Sequence, residues 1–262
     1  MDMQPKILER IADVTAQKKM RVIVACESGS RAWGFPSTDS DYDVRAIVCR
    51  HPDHYLKMAD AKKDAWDVHS DDDIDLALWD VRKAARLIFK GNAPVMEHLL
   101  SPIQYLDTNN ARAEMSHLAK VYFNPKAVVY HHLALAGGIW KKYFDRGGAA
   151  VATRKKYLYV LRSLTAAQYV VERRCMYPMD FAVMCEAVHM PDPVHGIIED
   201  LIKEKANGAE MDTRPVDGTL NRWIKTSLAS LDNDAQNMER GGYRDPGPLN
   251  AMTVKMIKET WA

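Results

Sequence analysis

An apolar run, Val22-Ile23-Val24-Ala25, leads toward Gly29-Ser30, and after ten intervening residues the chain continues Asp41-Tyr42-Asp43-Val44-Arg45-Ala46-Ile47-Val48. The first run has the composition of a buried strand, predicted over residues 21–26. In the second, Val44, Ala46 and Val48 alternate with Asp43, Arg45 and Ile47, which predicts a strand over 42–49. The Gly/Ser/Pro-rich interval from Ser28 to Ser40 reads as a loop. Alternate strand positions share a face, so Asp41 and Asp43 project the same way. Like charges that close repel, and a fold that keeps them together needs a cation between them. Magnesium, or manganese, is the expected ion, because such ions take carboxylate and phosphate oxygens. The Gly29-Ser30 turn offers backbone N–H groups and a hydroxyl, the donors a phosphate requires.

Phosphoryl and nucleotidyl transfer ask little covalent chemistry of a protein. They need neutralised charge on a triphosphate and a hydroxyl held in line with it. A two-ion arrangement does both, and it takes several converging carboxylates. Asp41 and Asp43 give two, and a third is expected from a neighbouring strand. Residues 73–79, Asp-Ile-Asp-Leu-Ala-Leu-Trp, form that strand. Asp75 is the preferred carboxylate, since it alternates with Ile74 and Leu76; Asp73 is second, and Asp71 and Asp72 read as solvated loop. Two rival motifs fail on inspection. A calcium loop starting at Asp39 needs Gly at its sixth place and Glu at its twelfth, where Val44 and Arg50 stand. A Walker A loop starting at Gly29 needs Lys-Ser/Thr where Phe35-Pro36 stands.

The rest of the chain sets these strands in context. Residues 5–18 read as an amphipathic helix, and Asp80 as the N-cap of a helix to about Lys90, stopped by Gly91-Asn92 and Pro94. Beyond Pro94, helical periodicity marks segments near 94–100, 108–122, 125–145, 152–174, 178–189, 193–207 and 217–237, with a short helix after a turn-rich stretch at 241–248. The expected fold is α/β (α+β): a small mixed sheet in residues 1–93, followed by a helical domain in 94–262. Charge is uneven along the chain. Residues 27–80 hold 13 acids against 6 Lys plus Arg, and residues 141–174 hold 9 Lys plus Arg against 2 acids. An acidic first part with a basic helical part suits a metal site and a phosphate-holding surface; solvated helix faces of both signs are the bland alternative. The four cysteines show no zinc or redox spacing, and reduced cytoplasmic residence is the expectation. No apolar run is long enough to span a membrane, and no N-terminal secretory signal is evident.

Other residues have two readings each. Arg31 is expected to meet a triphosphate oxygen, or else to pair with Glu27 or Asp39. Arg45 shares a face with Asp43 and suits a ligand carboxylate or a structural ion pair. Lys155, Lys156 and Tyr157 lie on a basic helix, where Lys156 suits a triphosphate and Tyr157 a base, or all three a solvated face. Trp33 suits a base or, more commonly, the anchoring of its loop. His131 and His132 read as core or helix-surface residues.

Gly29-Ser30, the spacer and Asp41-x-Asp43 resemble the pattern of the DNA polymerase β-like nucleotidyltransferase superfamily. The longer string from Glu27 to Phe35, then Asp39-Ser-Asp-Tyr-Asp-Val-Arg45, resembles its RNA-ligase-associated branch, the YcgL-type predicted nucleotidyltransferases. Trp79-Asp80-Val81-Arg82-Lys83, Asn92 to Glu97, Leu100 to Ile103, and Lys155 to Tyr159 with Arg162 fit the same branch, so the resemblance covers most of residues 20–190. Residues 190–262 carry no matching motif. The resemblance implies a sheet of the polymerase β palm type and metal ligation by Asp41 and Asp43. It makes Asp75 the third carboxylate, orienting or deprotonating the nucleophile, and Gly29 and Ser30 the holders of the β- and γ-phosphates. It further implies an NTP substrate, with an RNA end as the favoured acceptor of the nucleoside monophosphate. A protein or small-molecule acceptor, or a non-catalytic nucleotide- or RNA-binding module, stands as the alternative. The chain departs from the branch at Leu78, where a Gly usually precedes the Trp.

Overall fold

A computed structural model describes residues 3–58, 63–68, 73–144, 151–208, 212–241 and 243–262. Asp71 and Asp72 therefore lie outside the described residues. In chain order the elements are α1 (Gln4–Gln17), β1 (Met20–Ser28), a single turn α2 (Gly29–Ala32), β2 (Tyr42–Arg50), α3 (Pro52–Tyr55), β3 (Ala65–Val68), β4 (Ile74–Asp80), α4 (Val81–Phe89), α5 (Ala93–Leu100), β5 (Gln104–Asp107) and α6 (Ala111–Val121). Then come α7 (Pro125–Tyr143), β6 (Val151–Thr153), α8 (Arg154–Arg173), α9 (Phe181–Glu186), α10 (Asp192–Ala206), β7 (Thr213–Pro215), α11 (Gly218–Asn237) and α12 (Gly247–Trp261). The expected mixed α/β class, with a small mixed sheet and a helical part after it, is what the chain adopts.

The polypeptide forms two compact units that interleave along the sequence. One comprises Met1–Ala32, Asp41–Phe123 and Gly242–Ala262, the other Trp33–Ser40 and Asn124–Gly241. In the first, five strands lie in the order β3-β4-β2-β1-β5. β1 pairs antiparallel with both β2 and β5, β2 runs parallel to β4, and β3 closes the far edge antiparallel to β4. Apolar residues at alternate positions, Val44, Ala46 and Val48 on β2 and Ile74, Leu76 and Leu78 on β4, fill one face of the sheet. They share a core with Ile7, Ile11 and Val14 of α1, which sit at helical spacing. The opposite face carries Asp43, Arg45 and Ile47 of β2 and Asp75, Ala77 and Trp79 of β4. Leu78, the departure from the branch pattern, is fully buried and packs in the α1 core. Asp80 caps α4 as its position predicts, accepting the Arg82 amide at 2.9 Å.

The second unit is mainly helical, and most of its helices open on a side chain that accepts a first-turn amide. Asn124 does so for α7, Thr153 for α8, Asp180 for α9 and Asp217 for α11. The central helix is α8, whose Tyr157, Leu158, Val160, Leu161, Leu164 and Val170 are fully buried. Segment 33–40 is built into this unit. Phe181 donates its amide to the Trp33 carbonyl at 3.0 Å, and buried Lys205 donates to the Phe35 carbonyl at 2.9 Å. The Arg162 guanidinium lies 3.9 Å from the Trp33 ring centroid, and Tyr159 meets that ring edge-on. Trp33 thus anchors its loop.

Candidate active site

Because β2 and β4 run parallel and in register, Asp43 is the direct partner of Asp75. Residues paired this way project from the same face of a sheet, and a single cation bridges them. Arg45 is two places along β2 from Asp43, so it shares that face. Its Nη2 donates to Asp43 Oδ1 at 2.9 Å and to Asp75 Oδ2 at 3.0 Å, and its Nη1 donates to the Asp75 carbonyl at 2.9 Å and to the Val44 carbonyl at 3.0 Å. Two carboxylate oxygens from adjacent strands therefore converge on one point, and the chain's own guanidinium holds that point.

The turn after β1 abuts the same carboxylate. Ser28 pairs with Asp43 across the β1–β2 ladder, and Gly29 follows with φ +62°. A side chain at Gly29 is disfavoured twice: by the left-handed backbone, and because a Cβ there would overlap the Asp43 carboxylate. Ser30 is buried beside it.

Asp41 precedes β2 and is exposed. Its carbonyl accepts from Arg31 Nε at 3.2 Å, and the Arg31 guanidinium stacks 3.8 Å from the Tyr42 ring centroid. Among the described residues, no three His, Cys, Asp or Glu side chains cluster in a way that suits a metal ion. The structure thus brings Asp43 and Asp75 together and leaves Asp41 at the margin. Asp73, exposed and one place before β4, accepts the Tyr42 amide on its carbonyl at 2.7 Å. Lys156 belongs to the helical unit, where its Nζ lies 4.6 Å from the Tyr143 ring centroid. Tyr157 is buried and donates to Asn221 Oδ1 at 2.9 Å, so it presents no face to a base. His132 is a core residue, 2.7 Å from the Tyr177 hydroxyl.

Glu27 is a site residue that strand periodicity alone does not single out. It is fully buried on β1, one place from the turn. Its Oε1 accepts the Asp43 amide at 2.7 Å, and its Oε2 accepts the Tyr105 hydroxyl. Burial pushes its carboxyl up to about 7, against the pull of those two donors, and the nearby Asp43 charge pushes the same way. The signal in the sequence is a lone acid directly after an apolar run, at the end of a buried strand, a position that demands partners. His98 on α5 lies at 4.7 Å between ring centroids from Trp79, and burial followed by the Arg45 charge holds its imidazole down at about 4.

The chain is 29% identical over 259 residues to the uncharacterized protein YcgL of Bacillus subtilis (strain 168), covering 99% of this chain and 98% of that one. A crystal structure of a nucleotidyltransferase-like protein from Exiguobacterium sibiricum 255-15 aligns at 14% identity with a TM-score of 0.34, over 90% of this chain and 75% of that one. The family model for the RNA repair pathway DNA polymerase beta family matches residues 3–255, well beyond the stretch that carries recognisable motifs. A match of that extent makes this chain a member of the RNA repair pathway DNA polymerase beta family.

Proposed function

We propose that the protein moves a nucleoside monophosphate from an NTP to an acceptor hydroxyl, releasing pyrophosphate, and that the acceptor is an RNA end. The observation that carries this reading is the convergence of Asp43 and Asp75 on one point, with the Gly29 backbone against the first of them. That point is lined by hard carboxylate oxygens and already holds a cationic group, so magnesium or manganese suits it once Arg45 turns aside. Asp43 and Asp75 would hold the ion, with Asp41 joining from the edge of β2. A bound divalent ion supplies charge neutralisation on the triphosphate and acidifies the attacking hydroxyl.

The chain's own groups do the rest. Gly29 and Ser30 donate to the β- and γ-phosphates, and Arg31 stands beside them to balance charge. Asp75 accepts the proton of the acceptor hydroxyl as its oxygen bonds to the α-phosphorus. The bond from that phosphorus to the bridging oxygen breaks, and the electron pair leaves on pyrophosphate. Glu27 fixes the Asp43 backbone while this happens.

The test is incubation with each labelled NTP, magnesium or manganese, and single-stranded RNA. Label on RNA supports the proposal; label on the protein or on a small molecule moves the acceptor; label on nothing leaves a binding module. D43N and D75N should each cut transfer by about 100-fold or more. Full turnover in both variants would refute the assignment.

A further inference from the structure

The helical unit carries a basic cluster around an exposed aromatic ring. Lys141, Lys142 and Tyr143 end α7, while Arg154, Lys155 and Lys156 open α8. Lys142 and Lys156 converge on Tyr143, with Nζ atoms 5.1 and 4.6 Å from the ring centroid. That ring is 39% exposed, and the ammonium groups beside it hold its hydroxyl below the ordinary phenol value.

Lysines in the last turn of α7 complement the helix dipole, so Lys141 and Lys142 have a structural reason to stand there. Lys156 has none. It lies in the first turn of a 20-residue helix that has no acid in that turn, at the end where the dipole disfavours cations. Arg154, in the same turn, is answered by Glu204 at 3.0 Å and Asp212 at 2.7 Å. Among the described residues, Lys141, Lys142 and Lys156 form no ion pair with an acid. Lysines grouped without acids repel one another, and the arrangement becomes favourable when an anion spans them. An exposed aromatic ring between them selects the anion: a base stacks on a ring, while a bare phosphate gains nothing from it.

We infer that Lys142, Tyr143 and Lys156, with Lys141 at the rim, form a track for single-stranded RNA, with the lysines on backbone phosphates and Tyr143 stacked on a base. The inference deepens the proposed transfer to an RNA end and rests on it for the choice of polymer. It assigns Lys156 to RNA rather than to the triphosphate.

The experiment is fluorescence anisotropy of the full chain with an end-labelled single-stranded RNA, at several salt concentrations and without NTP. In K142Q/K156Q the slope of log affinity against log salt should fall by about 1.4, two phosphate contacts at about 0.7 each. Y143A should weaken binding about fivefold or more with the slope unchanged. Parent-like affinity and slope in K142Q/K156Q, or no RNA binding by the parent at low salt, would overturn the track. Patch-dependent RNA binding with no label transferred from any NTP would sustain the track and remove the transfer reading. Transfer to RNA that the patch variants leave untouched does the reverse.

Discussion

Replacing Glu27 with Gln tests whether the carboxyl beneath Asp43 is held neutral by its burial. The ordinary carboxyl value is 4.5, and burial raises this one to about 7. The folded protein therefore holds a proton between those limits that the unfolded chain has released. Stability from this group is whole below pH 4.5 and is lost as pH rises through 7. At about 1.4 kcal/mol per pH unit across that window, ionising Glu27 costs the fold about 3 kcal/mol. His98 works in the opposite sense. Its folded value of about 4 lies below the ordinary 6.5, so its contribution is present above pH 6.5 and lost as pH falls toward 4. In the parent the two nearly offset between pH 4.5 and 6.5. Gln keeps both contacts of Glu27, its carbonyl accepting the Asp43 amide and its NH₂ donating to the Tyr105 oxygen. E27Q should therefore keep the His98 limb alone and gain about 3 kcal/mol on the parent between pH 4.5 and pH 7.5. Urea unfolding of both proteins at those two pH values, in EDTA, reads the difference directly. A gap between variant and parent that stays constant within about 1 kcal/mol would refute the argument.

R45M leaves the Asp43 and Asp75 carboxylates facing each other with no guanidinium between them, so millimolar magnesium should raise its thermal midpoint by about 2 °C or more beyond the rise in the parent; equal rises would count against a cation site at that point. G29A meets both a left-handed backbone and the Asp43 carboxylate, and should cost about 1–3 kcal/mol in denaturant titration along with most transfer activity. D80A removes the α4 cap and the acceptor of the Tyr55 hydroxyl, which lies 2.9 Å away, for about 2–3 kcal/mol, whereas D80N, which keeps an acceptor for the Arg82 amide, should recover at least half of it.

Of the three central strands, β2 and β4 are legible from their period-two alternation and β1 from its continuous apolar run, while α1, α4 and the helices of the second unit are legible from their spacing and caps. β5 is not. Gln104–Asp107 is four residues long, starts two places after Pro102, and is only partly buried, so nothing local distinguishes it from a turn. Its identity comes from pairing with β1 some 80 residues away, a contact that a local pattern does not record. α12 presents the same problem at the level of organisation. Its own periodicity shows a helix, yet its place beside the sheet comes from contacts such as Arg21 donating to the Thr260 carbonyl at 2.7 Å. Segment 33–40 reads as a spacer in sequence, but Lys205 and Arg162, more than 120 residues downstream, make it part of the helical unit.

The juxtaposition of Asp43 with Asp75 follows from alternation plus one topological fact, the parallel pairing of β2 with β4. Alternation alone says that Asp43 and Arg45 share a face; the pairing adds Asp75 to it. Once those three are together, the sequence Asp-x-Arg explains how the sheet holds two facing carboxylates side by side. Two carboxylates in register on neighbouring strands would oppose sheet formation, and a cation built into the same strand removes the opposition without leaving that face. The bridge is half-exposed, with side-chain exposures of 20% for Arg45, 29% for Asp43 and 38% for Asp75, so its net contribution is about 1 kcal/mol or less. Under the proposed function that modest strength matters: a half-exposed bridge would yield its two carboxylates to a divalent ion at lower cost than a fully buried pair, while Arg45 Nη1 could keep its bonds to the Val44 and Asp75 carbonyls.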